Sequence, residues 1–496
     1  MFTSSFLKGE TWGLPGEAVE HVETHAAHVF LVGDRAYKIK KGVTLPYLDF
    51  STVEKRRAAL VAELEINRVF TADLYLALDE VLGEPVLVMR RFAASALLAW
   101  IMSHGEIGPP LSAKLAVMAA RSHALAPRRD VKGSDVMTGL GAQLSKAFID
   151  SPDIFRADDT LEFHALYESA LRAQRHFLNE RSERGLVRRC HGDMHCGNII
   201  VEDEEPKLFD AIEFSEKIAT IDVLYDLAFL LMDLWSGGER GAANTVLNRY
   251  LHLRRAEEDL LGLALLPLFF ATRAGVRALV TADLAHELAL RNSMRERGQA
   301  LDWFRATIAY LKVPPPLLLC IGGFSGTGKS TAVAGLAPHL GSAPGAIHVR
   351  SDVERKVLAG VGEMERLSPA SYTREASFDV YAACMARAEK ALAAGHSVVL
   401  DAVFAQEDER AAVVELARRT KSQFAGVWLE APREVLTARL ATRRGDASDA
   451  TAEVVERQLR YDLGHLDWPR VSAGGTSAET LARLRETVPY RFDGPA

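Results

Sequence analysis

The sequence predicts two domains: an α+β region over residues 1–312 and an α/β domain with a parallel sheet over 317–496. Three observations carry this. Residues 323–330 read Gly-Phe-Ser-Gly-Thr-Gly-Lys-Ser, which is the phosphate-loop (P-loop) pattern G-x-x-x-x-G-K-[ST] without a mismatch. A second constellation, His191 to Asn198 with Asp210, lies far upstream of it. Between the two stands Val313-Pro314-Pro315-Pro316. Three prolines fix φ and lack amide donors, so the helix expected over Trp303 to Leu311 ends there and 313–316 reads as a linker.

Composition narrows the class. The chain of 496 residues is 48% hydrophobic and 25% charged, as an ordinary globular protein is. Its net charge of −7 argues against nucleic acid or an anionic membrane surface as partner. Cys190, Cys196, Cys320 and Cys384 form no C-x-x-C pair, which points to a reduced, cytoplasmic protein. Met1 to Leu14 has no apolar core of signal-peptide length and carries Glu10. The apolar stretches 223–235 and 260–271 are interrupted by Asp226 and Asp233 or by Gly262 and Pro267, so no membrane span is expected.

In the first region, Ile199-Ile200-Val201, the acidic turn Glu202 to Pro206, and Lys207-Leu208-Phe209 read as a β-hairpin. Centred on position 204, it sets Asn198 opposite Asp210, about 5 Å apart at Cα, as a two-ligand magnesium site. Asp193, five residues before Asn198, is placed to accept a proton from a substrate hydroxyl. The spacing D-x-x-x-x-N followed by a metal Asp is that of a kinase catalytic loop. Zinc at Cys190, His191, His195 and Cys196 is the competing reading, and the spacing matches no common zinc pattern.

The run His-Gly-Asp-Met-His-Cys-Gly-Asn resembles the H-G-D-x-H-x-x-N loop of the aminoglycoside phosphotransferase branch of the protein-kinase-like fold. The resemblance covers 1–312 and implies a bilobal α+β domain. It implies Asp193 as catalytic base, Asn198 and Asp210 as Mg²⁺ ligands, and His191 as support for the loop. Asp226, in Asp222-Val223-Leu224-Tyr225-Asp226-Leu227-Ala228, would brace the loop from below. Ala36-Tyr37-Lys38-Ile39 resembles the A-x-K strand, so Lys38 would touch the α/β-phosphates of ATP, with Lys40 as rival on the same strand face. Glu63, in the helical stretch Val53 to Phe70, would pair with that lysine, with Glu65 as rival. Val86 to Met89 would lead into the adenine hinge. Two departures stand out. No glycine-rich loop precedes Lys38, where Thr24-His25-Ala26-Ala27 lies, and Asp210 is followed by Ala211-Ile212-Glu213.

In the second region, Leu317 to Ile321 is an apolar strand and Ser330 to Leu340 is helix-compatible until Pro338. Strand, glycine loop and helix form the context that makes the pattern a phosphate site. Gly323, Ser325, Gly326, Thr327 and Gly328 would present backbone N–H groups to phosphate oxygens, with Thr331 just inside the helix. Lys329 would reach the β/γ-phosphates of ATP and Ser330 would hold Mg²⁺. Ala346 to Arg350, Ser397 to Leu400 and Ala425 to Leu429 read as further buried strands with helices between, hence a parallel sheet with ligands at the strands' carboxyl ends. Asp352, Arg355 and Asp401 fall at those ends. Arg439 and Arg443 lie ahead of a polar segment, Gly445 to Ala452.

This half resembles P-loop kinases of small molecules, of the gluconate-kinase, zeta-toxin and polynucleotide-kinase kinds. The resemblance implies Asp352 as base, Arg355 as clamp on an anionic acceptor, Arg439 and Arg443 as lid arginines, and Asp401 as a Walker B carboxylate acting through Mg²⁺. The bland alternatives are a helix cap for Asp352 and a solvated helix face for the arginines. The expectation is an ATP- and Mg²⁺-dependent kinase with two nucleotide sites and small-molecule acceptors. The alternatives are a nucleotide-sensing protein in which one module controls the other, and a nucleic-acid end kinase in the second half.

Overall fold

Burial on both faces builds the first sheet. In this computed structural model, which describes residues 4–24, 26–45, 48–288, 293–442 and 447–490, Ala27, Phe30 and Val32 of one strand and Ala36 and Ile39 of the next are buried. The strands are β1 (Glu20–Glu23), β2 (Ala27–Val32), β3 (Arg35–Lys40), β4 (Tyr75–Val81) and β5 (Glu84–Arg90). They pair antiparallel in the order β1-β2-β3-β5-β4. Helix α1 (Val53–Phe70) starts where the Thr52 side chain accepts from the Lys55 amide. It lays Leu60 and Glu63 inward, both fully buried. His25, in the segment where a glycine-rich loop is missing, lies outside the described residues.

The predicted hairpin forms from β6 (Ile199–Glu202) and β7 (Glu205–Leu208). Its register corrects the sequence reading by one residue. Glu202 faces Glu205 and Ile199 faces Leu208, so Asn198 pairs with Phe209, whose amide donates to the Asn198 carbonyl at 3.1 Å. Asp210 is one position further on. The turn has two residues, Asp203 (φ 50°) and Glu204 (φ 61°), both left-handed as a two-residue hairpin requires. Helix α2 (Val223–Ser236) follows, capped by Asp222, which accepts from Leu224 N and from two nitrogens of the buried Arg181 at 2.7 Å each.

Helices α3 (Arg240–Arg254), α4 (Leu266–Glu287) and α5 (Met294–Leu311) come next, then Val313–Pro316 without helix or strand. The run Glu257–Glu287 is long and apolar enough to cross a membrane by length and composition, which the sequence reading did not expect. It is mostly buried within the protein, as a core helix is: Phe269, Phe270 and Ala274 are at most 1% exposed.

Strands β8 (Leu317–Gly323), β9 (Ile347–Arg350), β10 (Val398–Asp401), β11 (Gln423–Glu430) and β12 (Arg470–Ser472) form an all-parallel sheet in the order β9-β10-β8-β11-β12. The sequence reading found the first four and missed β12. Crossover helices α6 (Lys329–Leu336), α7 (Ser351–Leu358), α8 (Arg374–Ala393) and α9 (Glu407–Thr420) are followed by α10 (Arg433–Thr442) after β11. The core packs Leu319, Ile321, Val333, Val399 and Leu429.

The chain divides into two compact units, 1–140 with 175–239, and 141–174 with 240–496. That grouping differs from the expected 1–312/317–496 division. The proline segment breaks secondary structure, but residues 240–312 group with the P-loop sheet.

Two candidate phosphotransfer sites

Period-two alternation along β3 puts Lys38 and Lys40 on one face, and both reach α1. Lys38 Nζ donates to Glu63 Oε1 at 2.6 Å and to Asp210 Oδ1 at 2.5 Å. Lys40 Nζ lies 2.7 Å from Glu63 Oε2 and 2.5 Å from Glu213 Oε1. Glu63 therefore bridges the two lysines that competed for one role, while Glu65 is exposed. Lys38 is the lysine that meets Asp210.

Charge in this network follows from burial and partners. Burial would discharge Lys38, yet Asp210 and Glu63 hold its pKa well above the ordinary lysine value. Burial opposes the Asp210 carboxylate too, and Lys38 and Lys40 override it, keeping the pKa low. Burial wins at Glu213, with help from Glu63, and pushes its pKa up. Asp210 takes a left-handed φ of 59°, with its amide fixed on Tyr75 Oη at 2.8 Å and the Ala211 amide on Asn67 Oδ1 at 2.9 Å.

Asp193, Asn198, His195 and His191 are held by one another. Asn198 Nδ2 donates to Asp193 Oδ2 at 2.8 Å and to the Asp193 carbonyl at 3.0 Å. His195 Nε2 sits 3.3 Å from the same Oδ2, and the Asp193 side chain stays 35% exposed. His191 is buried, donates from Nε2 to the Phe209 carbonyl at 3.0 Å, and accepts at Nδ1 from the Asp193 amide at 3.4 Å. Burial lowers its pKa, which suits that neutral tautomer. Asp226 supports the loop from beneath: Oδ1 accepts from Gly192 N at 3.0 Å and Oδ2 faces His123 Nε2 at 3.4 Å.

Two of the zinc candidates use ring nitrogens within the loop: His191 Nε2 donates to the Phe209 carbonyl and His195 Nδ1 accepts from Gly197 N. The one ligand-type cluster among the described residues is His123, Cys190 and Asp226. There Asp226 bonds Gly192 and His123, and Cys190 Sγ donates to the Ile221 carbonyl.

In the second site, β8 is the central strand: the connection leaving it runs toward the β9 edge, whereas those leaving its neighbours β10 and β11 run toward the β12 edge. That reversal leaves a crevice at its carboxyl end. Gly323, Gly326 and Gly328 have φ of 141°, 84° and 88°, a region open to glycine. A Cβ on Gly326 would lie 2.9 Å from the Leu436 carbonyl, and one on Gly323 would lie 2.5 Å from that of Leu429. Lys329 Nζ donates to the carbonyls of Gly323 (2.8 Å) and Phe324 (3.2 Å), folded back along the loop. The Ser325 amide meets Gln458 Oε1 at 2.8 Å, and Thr327 Oγ1 donates to the Phe324 carbonyl. Thr331 is exposed on the first turn of α6.

Ser330 Oγ donates to Asp401 Oδ2 at 2.5 Å. Burial opposes the Asp401 charge, but His348 and then Lys329 outweigh it and hold the pKa at about 2. A carboxylate whose pKa is held low, set against a hydroxyl one residue past the phosphate-loop lysine, is a donor set that suits Mg²⁺. The same holds for ionised Asp210 near Asn198, whose amide nitrogen is spent on Asp193.

Asp352 sits in the first turn of α7, but the cap position belongs to Arg350 and carries no side-chain cap. The geometry thus gives the capping alternative nothing. Arg355 is committed to the segment before α8: Nη1 donates to the Ser371 carbonyl at 2.6 Å and the guanidinium lies 5.0 Å from the Tyr372 ring centre. Its Nε is buried without a partner. Arg439 lies over the phosphate loop, donating to the carbonyls of Thr327 (3.3 Å) and Gly475 (2.7 Å). Arg443 lies outside the described residues.

Sequence reasoning missed Glu213 as a partner for Lys40, His348 beside Asp401, and Asp449. Asp449 accepts from the buried Lys356 at 2.8 Å and from Tyr372 Oη at 3.0 Å. Only Glu213 had a sequence signal, as the acid three residues after Asp210 where the family loop has other residues.

Two family models match the chain: that of the phosphotransferase enzyme family over residues 49–264, and that of an AAA domain over 318–462. Uncharacterised proteins of Mycobacterium tuberculosis and Mycobacterium bovis are each 30% identical over 464 residues, covering 89% of this chain and 91% of theirs. Among solved structures, a choline/ethanolamine kinase family protein from Mesorhizobium loti is 16% identical with a TM-score of 0.37, over 59% of this chain and 92% of its own. A gluconokinase from Sinorhizobium meliloti is 23% identical with a TM-score of 0.25, over 34% of this chain and 93% of its own. The chain belongs to the family of the two mycobacterial proteins, and it is a phosphotransferase-type enzyme in which a domain of the phosphotransferase enzyme family precedes a P-loop AAA domain.

Proposed function

We propose that both sites use ATP and Mg²⁺ and that each transfers a γ-phosphate to a small-molecule acceptor. The observation behind this is that the chain carries two separate sets of phosphate-lysine and ionised carboxylate: Lys38 with Asp210, and Lys329 with Asp401. Asn198 with Asp210, and Ser330 with Asp401, would hold Mg²⁺, which would supply charge to offset that developing during transfer.

At the first site, Asp193 receives the proton of an acceptor hydroxyl. Asn198 and His195 fix its Oδ2, so the carboxylate keeps its aim without being buried. Lys38 neutralises phosphate charge and is oriented by Glu63. Asn198 and Asp210 hold the metal. At the second site, the glycine-shaped loop and Lys329 bind phosphates, Ser330 and Asp401 hold the metal, and Arg439 sits over the loop as a lid arginine. Asp352 is the base, and Arg355 is the clamp for an anionic acceptor once it leaves the Ser371 carbonyl. The net charge of −7 favours a small acceptor over a nucleic-acid end.

The test is a metabolite extract incubated with γ-labelled ATP and wild type, Asp193→Asn or Lys329→Ala. Each variant is expected to lose its own labelled product and keep the other's. Wild type that labels nothing, or one product lost equally in both variants, rejects the two-site reading.

A further inference from the structure

β9 is an edge strand, and its outward N–H and C=O groups lack a strand partner. The Ile347 amide points inward, to the Ser397 carbonyl at 2.8 Å, so Ala346 and His348 present their backbone groups to the open edge. Helix α3 fills that edge. Asn248 Oδ1 accepts from the His348 amide at 2.8 Å, and its Nδ2 donates to the Ala346 carbonyl at 3.2 Å. One turn earlier, Asn244 Nδ2 donates to the carbonyls of Pro344 (3.0 Å) and Ala346 (2.9 Å). Two side-chain amides therefore do the work of a neighbouring strand. They come from residues within the 49–264 match to the phosphotransferase family, and they grip the P-loop domain.

The grip leads to the second site. The His348 ring stands 3.5 Å through Nε2 from Asp401 Oδ2, the oxygen that also takes the Ser330 hydroxyl. A second tie starts just past the end of α3. Arg255, at a left-handed φ of 49°, donates from Nη1 to both carboxylate oxygens of buried Glu354 at 2.9 and 3.1 Å. Glu354 lies on α7, the helix of Asp352 and Arg355.

We propose that Asn244 and Asn248 are positioning residues for the second site: through β9 and His348 they set the Asp401 carboxylate against Ser330, so the P-loop site is completed by a helix of the phosphotransferase domain. This rests on the reading of Ser330 and Asp401 as the Mg²⁺-side groups of a nucleotide site.

The experiment uses the full chain carrying Lys38→Met, so that nucleotide titration reads the second site. ATP affinity is measured with Mg²⁺ and again in EDTA, and the ratio is the Mg²⁺ enhancement. Asn244→Ala/Asn248→Ala is expected to cut that enhancement about tenfold, the usual cost of losing an outer partner of a metal ligand, with the EDTA affinity unchanged. His348→Leu is expected to reproduce the loss, and His348→Gln, which keeps an N–H toward Asp401, to retain more of it. An unchanged enhancement in the double variant overturns the proposal. So does a parallel fall of both affinities with a lower melting temperature, since the asparagines then only hold the fold, and so does an unaffected His348→Leu. Lys329→Ala serves as control: if it binds ATP like wild type, the reading of the P-loop site fails, and not only the coupling.

Discussion

Lys40→Met tests the charge balance of the first site. Lys40 has a 4% exposed side chain and contacts two carboxylates, Glu63 (0%) and Glu213 (5%). Methionine fills similar space without the charge, which leaves both acids facing one another with only Lys38 nearby. Breaking a buried pair from one side costs about 3–5 kcal/mol. At about 2–4 °C per kcal/mol that is a melting temperature roughly 6–20 °C lower. The loss depends on pH in a fixed direction. The folded pKa of Glu213 already lies above its ordinary 4.5, raised by burial and Glu63 against the pull of Lys40. Stability from such a group is complete below its unfolded pKa and lost as pH rises through the folded one. Removing Lys40 raises the folded pKa further, so the variant stays closest to wild type near pH 5 and falls away toward pH 8, by up to about 1.4 kcal/mol per pH unit. Thermal melts of both proteins at several pH values read this, and adding Glu213→Gln to Lys40→Met should recover part of the deficit. Equal melting of wild type and Lys40→Met at pH 8, or a deficit that grows on acidification, refutes the reasoning.

The remaining predictions separate roles within each site. Asp193→Asn should slow the first site's chemical step by roughly 10²–10⁴ with nucleotide binding intact, while Asp210→Asn should weaken Mg²⁺-dependent binding; identical binding behaviour of the two would contradict the split. Lys329→Ala should abolish nucleotide binding at the second site and lower the melting temperature modestly, because Lys329 helps to hold the buried Asp401 ionised; nucleotide binding like wild type would contradict its role. Asp352→Ser and Asp352→Asn should both lose acceptor-dependent turnover with ATP affinity and melting temperature retained, and normal turnover in the serine variant would remove Asp352 from the chemistry.

What was legible in the sequence was local. The phosphate loop is built from eight consecutive residues, so its glycines, Lys329 and Ser330 could be assigned without any tertiary contact. The expectations for Asp193, Asn198 and Asp210 rested on short spacings and on the family resemblance of the same stretch. The hairpin register slipped by one because Asp203-Glu204 turns in two left-handed residues with no glycine to mark the centre. β12 escaped notice because it has three residues, of which one is buried. Long-range pairing was out of reach. Lys40 and Glu213 lie 173 positions apart, and Asn248 meets His348 across 100. Nothing in the sequence of α3 shows that its asparagines close the edge of a distant sheet.

The central claim is that one chain holds two nucleotide sites. The measurement that meets it most directly is the stoichiometry of Mg²⁺-ATP binding by calorimetry on the full chain, on Lys38→Met, on Lys329→Ala and on the double variant. Two nucleotides per wild-type chain, one per single variant and none in the double variant are the predicted result. A single nucleotide on wild type, or single variants that both still bind two, would contradict it.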